Sequence, residues 1–157
     1  MVIGEGPGEE EDKQGLPFVG KSGQLLDKIL GAAGFSRDEN VFIANIVKCR
    51  PPENRDPTPD ERTTCLPFLL LQIELIQPTI IILLGGTALK GLIDPDGKIT
   101  QVRGKWIKWH QFHVMPTYHP SALLRNPDLK KDVWEDMKQV VQKYRELVDP
   151  QHQSPHI

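Results

Sequence analysis

Two hydrophobic periods alternate along the chain. Short, nearly unbroken apolar runs stand at 1–3 (MVI), 41–46 (VFIANI), 79–84 (TIIILL) and 113–116 (HVMP). A run such as TIIILL, apolar on both faces, is the pattern of a central parallel strand. Between these runs the apolar residues recur at helical spacing. In 23–34 (GQLLDKILGAAG) they are Leu25, Leu26, Ile29, Leu30 and Ala33, and Gly34 supplies a C-terminal stop. A second helix is predicted to start at Thr58 as N-cap, with Pro59 at the first helical position and Asp60 and Glu61 against the dipole. It runs through Leu75 and ends before Pro78, with a kink or break expected at Pro67. A short helix follows Gly85-Gly86, near 87–93. A long one at 129–148 carries Val133, Met137, Val140, Val141, Tyr144 and Val148 on one face. Residues 97–110 read as a turn and a hairpin with Trp106 and Trp109 near its tip. The proline-broken stretch 48–61 (KCRPPENRDPTPDE) reads as an ordered loop or lid. The alternation of strand and helix predicts one domain over 1–148 of the α/β class, a three-layer α/β/α sandwich with a central, mostly parallel sheet. Residues 149–157 read as a frayed tail in which His152 and His156 have no role.

A chain of 157 residues can bury one such core. The net charge of -2 points to neither nucleic acid nor membrane, but its distribution changes the picture. Residues 98–131 carry Lys98, Arg103, Lys105, Lys108, Arg125, Lys130 and Lys131 against the single acid Asp128. That is either a local surface for a polyanion or a solvated face. No apolar run reaches the length of a membrane span, and residues 1–12 turn acidic where a secretory leader needs a basic and then apolar start. Two cysteines, Cys49 and Cys65, make no disulfide framework, so a cytoplasmic setting is the default. Met1 falls inside the first core strand, and the chain is read as lacking an N-terminal segment.

The polar residues with chemistry gather where strands end. The first strand runs into Gly4-Glu5-Gly6-Pro7-Gly8, a turn whose glycines let backbone pass close to a ligand. In open α/β sheets, ligands sit just beyond the carboxyl ends of the strands. The acids Glu9, Glu10, Glu11 and Asp12 would repel phosphate. Carboxylates, backbone N–H groups and the nearby Phe18 suit a flat, polar, uncharged ring with cationic chemistry beside it. Asn45 ends the second strand, and His119-Pro120-Ser121 follows the last.

These loops, read as GEGPGEEEDKQGLPFVGKSGQLL, NIVKCRPPENRDPTPDE, VRGKW and YHPSALLRNP, resemble the uracil-DNA glycosylase superfamily, in detail its family 4, the iron–sulfur-containing bacterial and archaeal branch. The resemblance covers most of residues 1–147 and implies a monofunctional DNA repair enzyme. Such an enzyme flips deoxyuridine from the stack and hydrolyses its N-glycosidic bond, leaving an abasic site. By resemblance Phe18 stacks on the base, Asn45 reads uracil O4 and N3–H, and the Gly4 to Gly8 loop, including Gly6, completes the contacts. His119 is set to stabilise charge on uracil O2, and Glu5 and Glu11 serve the cationic side and the water. Another branch carries aspartate where this loop has Gly6. Ser121 is expected on a flanking phosphate, with Leu123 or Leu124 as the wedge. Lys48, Arg50, Arg55, Arg103 and Arg125 are expected along the DNA backbone. Cys49 and Cys65 match the second pair of ligands of a [4Fe–4S] cluster, which takes four thiolates; the first pair is missing. Truncation and loss of the cluster are the two explanations, and truncation is preferred. The expected partner is uracil-containing DNA, bound by a monomer. The alternative is a module that binds uracil or abasic DNA without cutting it, or an inactive fragment.

Overall fold

In the strand Ile80–Leu84 (β3) every residue is buried, and the pleat sends its side chains to two separate cores. Ile80, Ile82 and Leu84 enter one core, while Ile81 and Leu83 enter the other. The computed structural model, which describes residues 1–48 and 58–157, puts β3 at the centre of a five-stranded sheet. Its neighbours are Val2–Gly4 (β1), Ile43–Asn45 (β2), Ile107–Trp109 (β4) and Phe112–Thr117 (β5), in the order β2-β1-β3-β5-β4. All pairings are parallel except β4 with β5.

Helices cover both faces, so the three-layer α/β/α sandwich expected from the alternation is the architecture. On one face Lys21–Ala32 (α2) contributes Leu26 and Leu30, Pro120–Arg125 (α6) contributes Leu123, and Lys130–Leu147 (α7) contributes Val133, Met137, Val140 and Val141. On the other, Pro59–Ile76 (α3) contributes Leu69 and Ile73, and Gly86–Leu92 (α4) contributes Ala88 and Leu89. No helix among the described residues is long and apolar enough to cross a membrane.

Thr58 caps α3 as expected: its Oγ1 accepts from the Glu61 N–H at 3.2 Å, and the Glu61 carboxylate accepts from the Thr58 N–H at 2.8 Å. Pro67 does not split this helix. Its ring lies exposed, while Leu69 and Ile73 in the next turns are anchored in the core. Three further stretches depart from the sequence reading. The acidic run forms a helix, Glu9–Gln14 (α1), because its carboxylates oppose the partial positive charge of an N-terminal turn. Residues Ile99–Val102 form one helical turn (α5), so the hairpin is β4 with β5, turning at His110 and leaving Trp106 outside it. Residues 149–157 are packed rather than frayed. Buried His152 stacks on Phe35 with ring centroids 4.6 Å apart and lies edge-on to Tyr144. Arg145 donates to the carbonyls of His152 and Ile157 at 3.0 Å each, and Ser154 donates to Ala32 O at 2.9 Å.

The registers place the site. Gly4 pairs with Asn45, and Leu84 pairs with Thr117. The carboxyl ends of the four parallel strands therefore form one rim. The chain leaves β1 toward β2 and returns across β1 to β3, so a switch point opens between β1 and β3 on that rim.

Candidate active site

The first strand leaves the sheet at Gly4, and only glycine fits there. A Cβ on Gly4 would lie 2.4 Å from Phe18 Cζ and 2.8 Å from Asn45 Oδ1. Phe18 and Asn45 thus close on the strand end from two sides, separated by a bare backbone. Phe18 is buried, with φ at 53°, a left-handed conformation that a large side chain takes up only when held. Arg37 holds it by donating to Pro17 O at 2.8 Å and Phe18 O at 2.7 Å while pairing with Asp27. Gly23 completes the fit, since a Cβ there would lie 1.9 Å from Phe18 O.

Glu11 braces the same loop from the other side. Its carboxylate accepts from the N–H groups of Gly8 at 3.0 Å, Val19 at 2.7 Å and Gly20 at 2.6 Å. Partial burial would raise this carboxyl, but its backbone donors, those of Gly20, Val19 and Gly8 foremost, outweigh that and hold it below the usual range. Glu9, Glu10 and Asp12 point to solvent.

Asn45 is buried, and its Oδ1 has no hydrogen-bond partner. An unpartnered buried carbonyl costs about 1–3 kcal/mol, so it marks a place where something else is meant to bind. Lys48 steadies the backbone here, donating from Nζ to Asn45 O at 2.8 Å and to Gln72 Oε1 of α3 at 2.6 Å. Lys48 is therefore tied inward rather than extended toward a polyanion, and burial lowers its ammonium below the usual lysine range.

His119 caps α6. The backbone N–H of Ser121 donates to His119 Nδ1 at 3.0 Å, and Ser121 Oγ lies 2.8 Å from the same nitrogen. A backbone N–H can only donate, so Nδ1 is the acceptor and the neutral ring carries its proton on Nε2. Burial first, and then the charge of Arg125, push the imidazole down to about 4, with Glu11 opposing weakly. At neutral pH His119 is an uncharged N–H donor, tilted against Phe18 with centroids 5.4 Å apart. Glu5 completes the rim. A Cβ on Gly85, where φ is 93°, would lie 2.5 Å from Glu5 Oε1 and 3.0 Å from His119 Cβ, so this glycine leaves room for the Glu5 carboxylate and the base of the His119 side chain at the end of β3.

Gly4, Glu5, Phe18, Asn45 and His119 thus converge on the switch point, with Gly6 in the loop over them and Ser121 behind the imidazole. Other expected residues stand elsewhere. Leu123 is 1% exposed and belongs to the core, because α6 packs its inner face on α2; it cannot act as a wedge, whereas Leu124 is 49% exposed. Arg103 is bound to Asp136 through Nε at 3.1 Å and Nη2 at 2.5 Å, an internal ion pair rather than a backbone contact. Lys108 lies opposite His113, which pairs with the first residue of β3, so it sits at the far end of the sheet from the rim. Arg125 is exposed.

Cys49, Arg50 and Arg55 lie outside the described residues. Cys65 is half-buried on α3, and its Sγ accepts from Lys48 N at 3.5 Å. Among the described residues no three His, Cys, Asp or Glu are grouped to hold a metal. The chain carries two cysteines, half the thiolates that a [4Fe–4S] cluster takes. Sequence reasoning missed the Glu11 brace, Arg37 and Asp136. Only Asp136 left a signal, as an acid three residues after Val133 and four before Val140 on an otherwise apolar helix face.

Comparison with known proteins gives the family. Residues 1–138 match the family described as the uracil DNA glycosylase superfamily. The chain is 53% identical over 144 residues to the type-4 uracil-DNA glycosylase of Thermotoga maritima, covering 88% of this chain and 73% of the relative. It is 48% identical over 149 residues to the type-4 enzyme of Sulfurisphaera tokodaii, covering 89% and 67%. A type-5 uracil-DNA glycosylase of Pyrobaculum aerophilum is 32% identical over 139 residues, covering 78% of this chain and 61% of that one.

Proposed function

We infer the reaction from one premise: this chain belongs to the uracil DNA glycosylase superfamily. It takes deoxyuridine flipped from DNA, hydrolyses the bond between uracil N1 and C1′, and leaves an abasic site. The observation that carries this reading is the buried, unpartnered Oδ1 of Asn45 beside the pinned ring of Phe18. Uracil stacks on Phe18, an interaction worth about 1–3 kcal/mol. Its N3–H donates to Asn45 Oδ1, and its O4 accepts from Nδ2. Cytosine offers an acceptor at N3 and donors at N4, so each group of the amide would meet its like and remain buried unpaired. Sites built on such pairing reject the wrong partner by about 10,000-fold or more.

As the glycosidic bond lengthens, negative charge grows on uracil and positive charge on the sugar. The Nε2–H of neutral His119 donates to uracil O2. A neutral donor suits this role because it stabilises the anion without surrendering a proton beforehand. The carboxylate of Glu5 faces the cationic sugar and orients the water that attacks C1′. The bond to N1 breaks with its electron pair going to uracil, the water's oxygen bonds C1′, and its proton leaves to the carboxylate or solvent. Glu11 keeps the loop in place, its oxygens being committed to three backbone N–H groups. Ser121, Leu124 and Arg125 on α6 face the flanking DNA.

Single-turnover release of uracil from an oligonucleotide tests the assignment. The wild-type chain is expected to release uracil, and His119→Ala to lose about 100-fold or more in rate with binding little changed. Asn45→Ala is expected to lose rate and selectivity together. Base-dependent binding without release by the wild type would replace this reading with a non-cutting DNA-binding module.

A further inference from the structure

Asp136 is fully buried in α7, yet it is an acid, paired there with Arg103. A buried ion pair is commonly no more stabilising than apolar residues of the same shape, so its presence asks for another account. Its partners give one. Oδ2 accepts from Thr117 Oγ1 at 2.6 Å and from Arg103 Nε at 3.1 Å, and Oδ1 accepts from Arg103 Nη2 at 2.5 Å. Thr117 is the last residue of β5, two before His119. The guanidinium of Arg103 lies over the ring of Tyr118, 5.8 Å from its centroid. Gly104 N donates to Pro116 O at 2.9 Å, while Gln139 of α7 donates to Gly104 O at 2.9 Å. Gly104 has φ at 77°, and a Cβ there would lie 2.6 Å from Asp136 Oδ1. Residues 116, 117 and 118 are each gripped from this one place.

The geometry points to Asp136 as a positioning residue that, through Thr117 and Arg103, sets where His119 stands on the rim. The core beneath would pack without it; the strand end above would not be held to one position. This inference rests on the reading of His119 given above. It adds Asp136, Thr117 and Arg103 to the machinery as groups that touch neither base nor sugar.

Thr117→Val tests it, because valine keeps the shape, removes only the hydroxyl and leaves Arg103 to pair with Asp136. A displacement near 1 Å at the reacting groups lowers kcat by about 10- to 100-fold. That loss is expected with KM unchanged, and Thr117→Ser is expected to restore kcat. Val140→Ala, a core cavity in the same helix, is the control; it is expected to lower the melting temperature without lowering kcat at 25 °C. The His119 ring-proton resonances, which feel the ring current of Phe18, are expected to move in Thr117→Val and not in Val140→Ala. Retention of kcat within about twofold by Thr117→Val, or equal kcat loss in Val140→Ala, overturns the inference. Unmoved His119 resonances also overturn it. A wild type that releases no uracil while those resonances still move refutes the proposed reaction and leaves the positioning intact.

Discussion

Gly4→Ala puts the smallest possible change at the point where the site closes. The new methyl would lie 2.4 Å from Phe18 Cζ, 2.5 Å from Cε2 and 2.8 Å from Asn45 Oδ1. Carbon atoms settle near 3.5 Å, so the ring must retreat by about 1 Å. It has little room to do so: Arg37 holds its backbone, Gly23 packs on its carbonyl, and His119 lies against its face. Overpacking of this kind costs about 1–3 kcal/mol of stability. The catalytic cost is larger, because the stacking surface and the amide are displaced together, and a shift of this size lowers kcat/KM by about 100-fold. Gly31→Ala is the control, since a Cβ there meets nothing within 4 Å. The assay is steady-state uracil release by both variants, with thermal melts alongside. Gly4→Ala retaining kcat/KM within about threefold would refute the claim that bare backbone at this position is what lets Phe18 and Asn45 converge.

Other consequences follow from the same contacts. His119 acts while neutral and its folded value lies near 4, below the usual 6.5, so kcat is expected to be flat from pH 8 to pH 6 and to fall as pH drops toward 4. The unfolded chain binds the proton more readily between those values, so stability is lost as pH is lowered across that window; His119→Gln should flatten this slope in pH-dependent melts. Glu11→Ala leaves three backbone donors without their acceptor and should cost about 2 kcal/mol together with most of the activity, with Glu11→Gln intermediate in both, as melts and excision rates would show. His152→Ala removes a stacked ring far from the rim, and is expected to lower the melting temperature by several degrees while uracil release is unchanged.

What could be read in advance was what depends on neighbours in sequence. TIIILL specifies a strand buried on both sides, and Thr58-Pro59-Asp60-Glu61 specifies a helix start, because each signal is local. The convergence of Gly4, Phe18, Asn45 and His119 was legible as loops at strand ends. What escaped were choices decided by partners distant in sequence. Arg103 looks like a surface cation until Asp136, far along the chain, is placed beneath it. Lys48 looks the same until Gln72 meets it. Leu123 and Leu124 are indistinguishable in sequence, and only the docking of α6 on α2 decides which is core. The last nine residues lack an apolar pattern, yet His152 finds Phe35 and Ala33 O across the fold. Of four adjacent acids, Glu9, Glu10 and Asp12 face water; Glu11, expected at the cationic side of the reaction, is a brace because backbone N–H groups of residues 8, 19 and 20 fold around it.

The most direct test of the central claim is selectivity in single-turnover base release by the wild-type chain at pH 7. The substrates are oligonucleotides carrying uracil or cytosine at one identical position. Release of uracil at least about 10,000-fold faster than cytosine is what a fixed Asn45 amide and a neutral His119 predict. Equal release of both bases, or no release of uracil, would contradict the account.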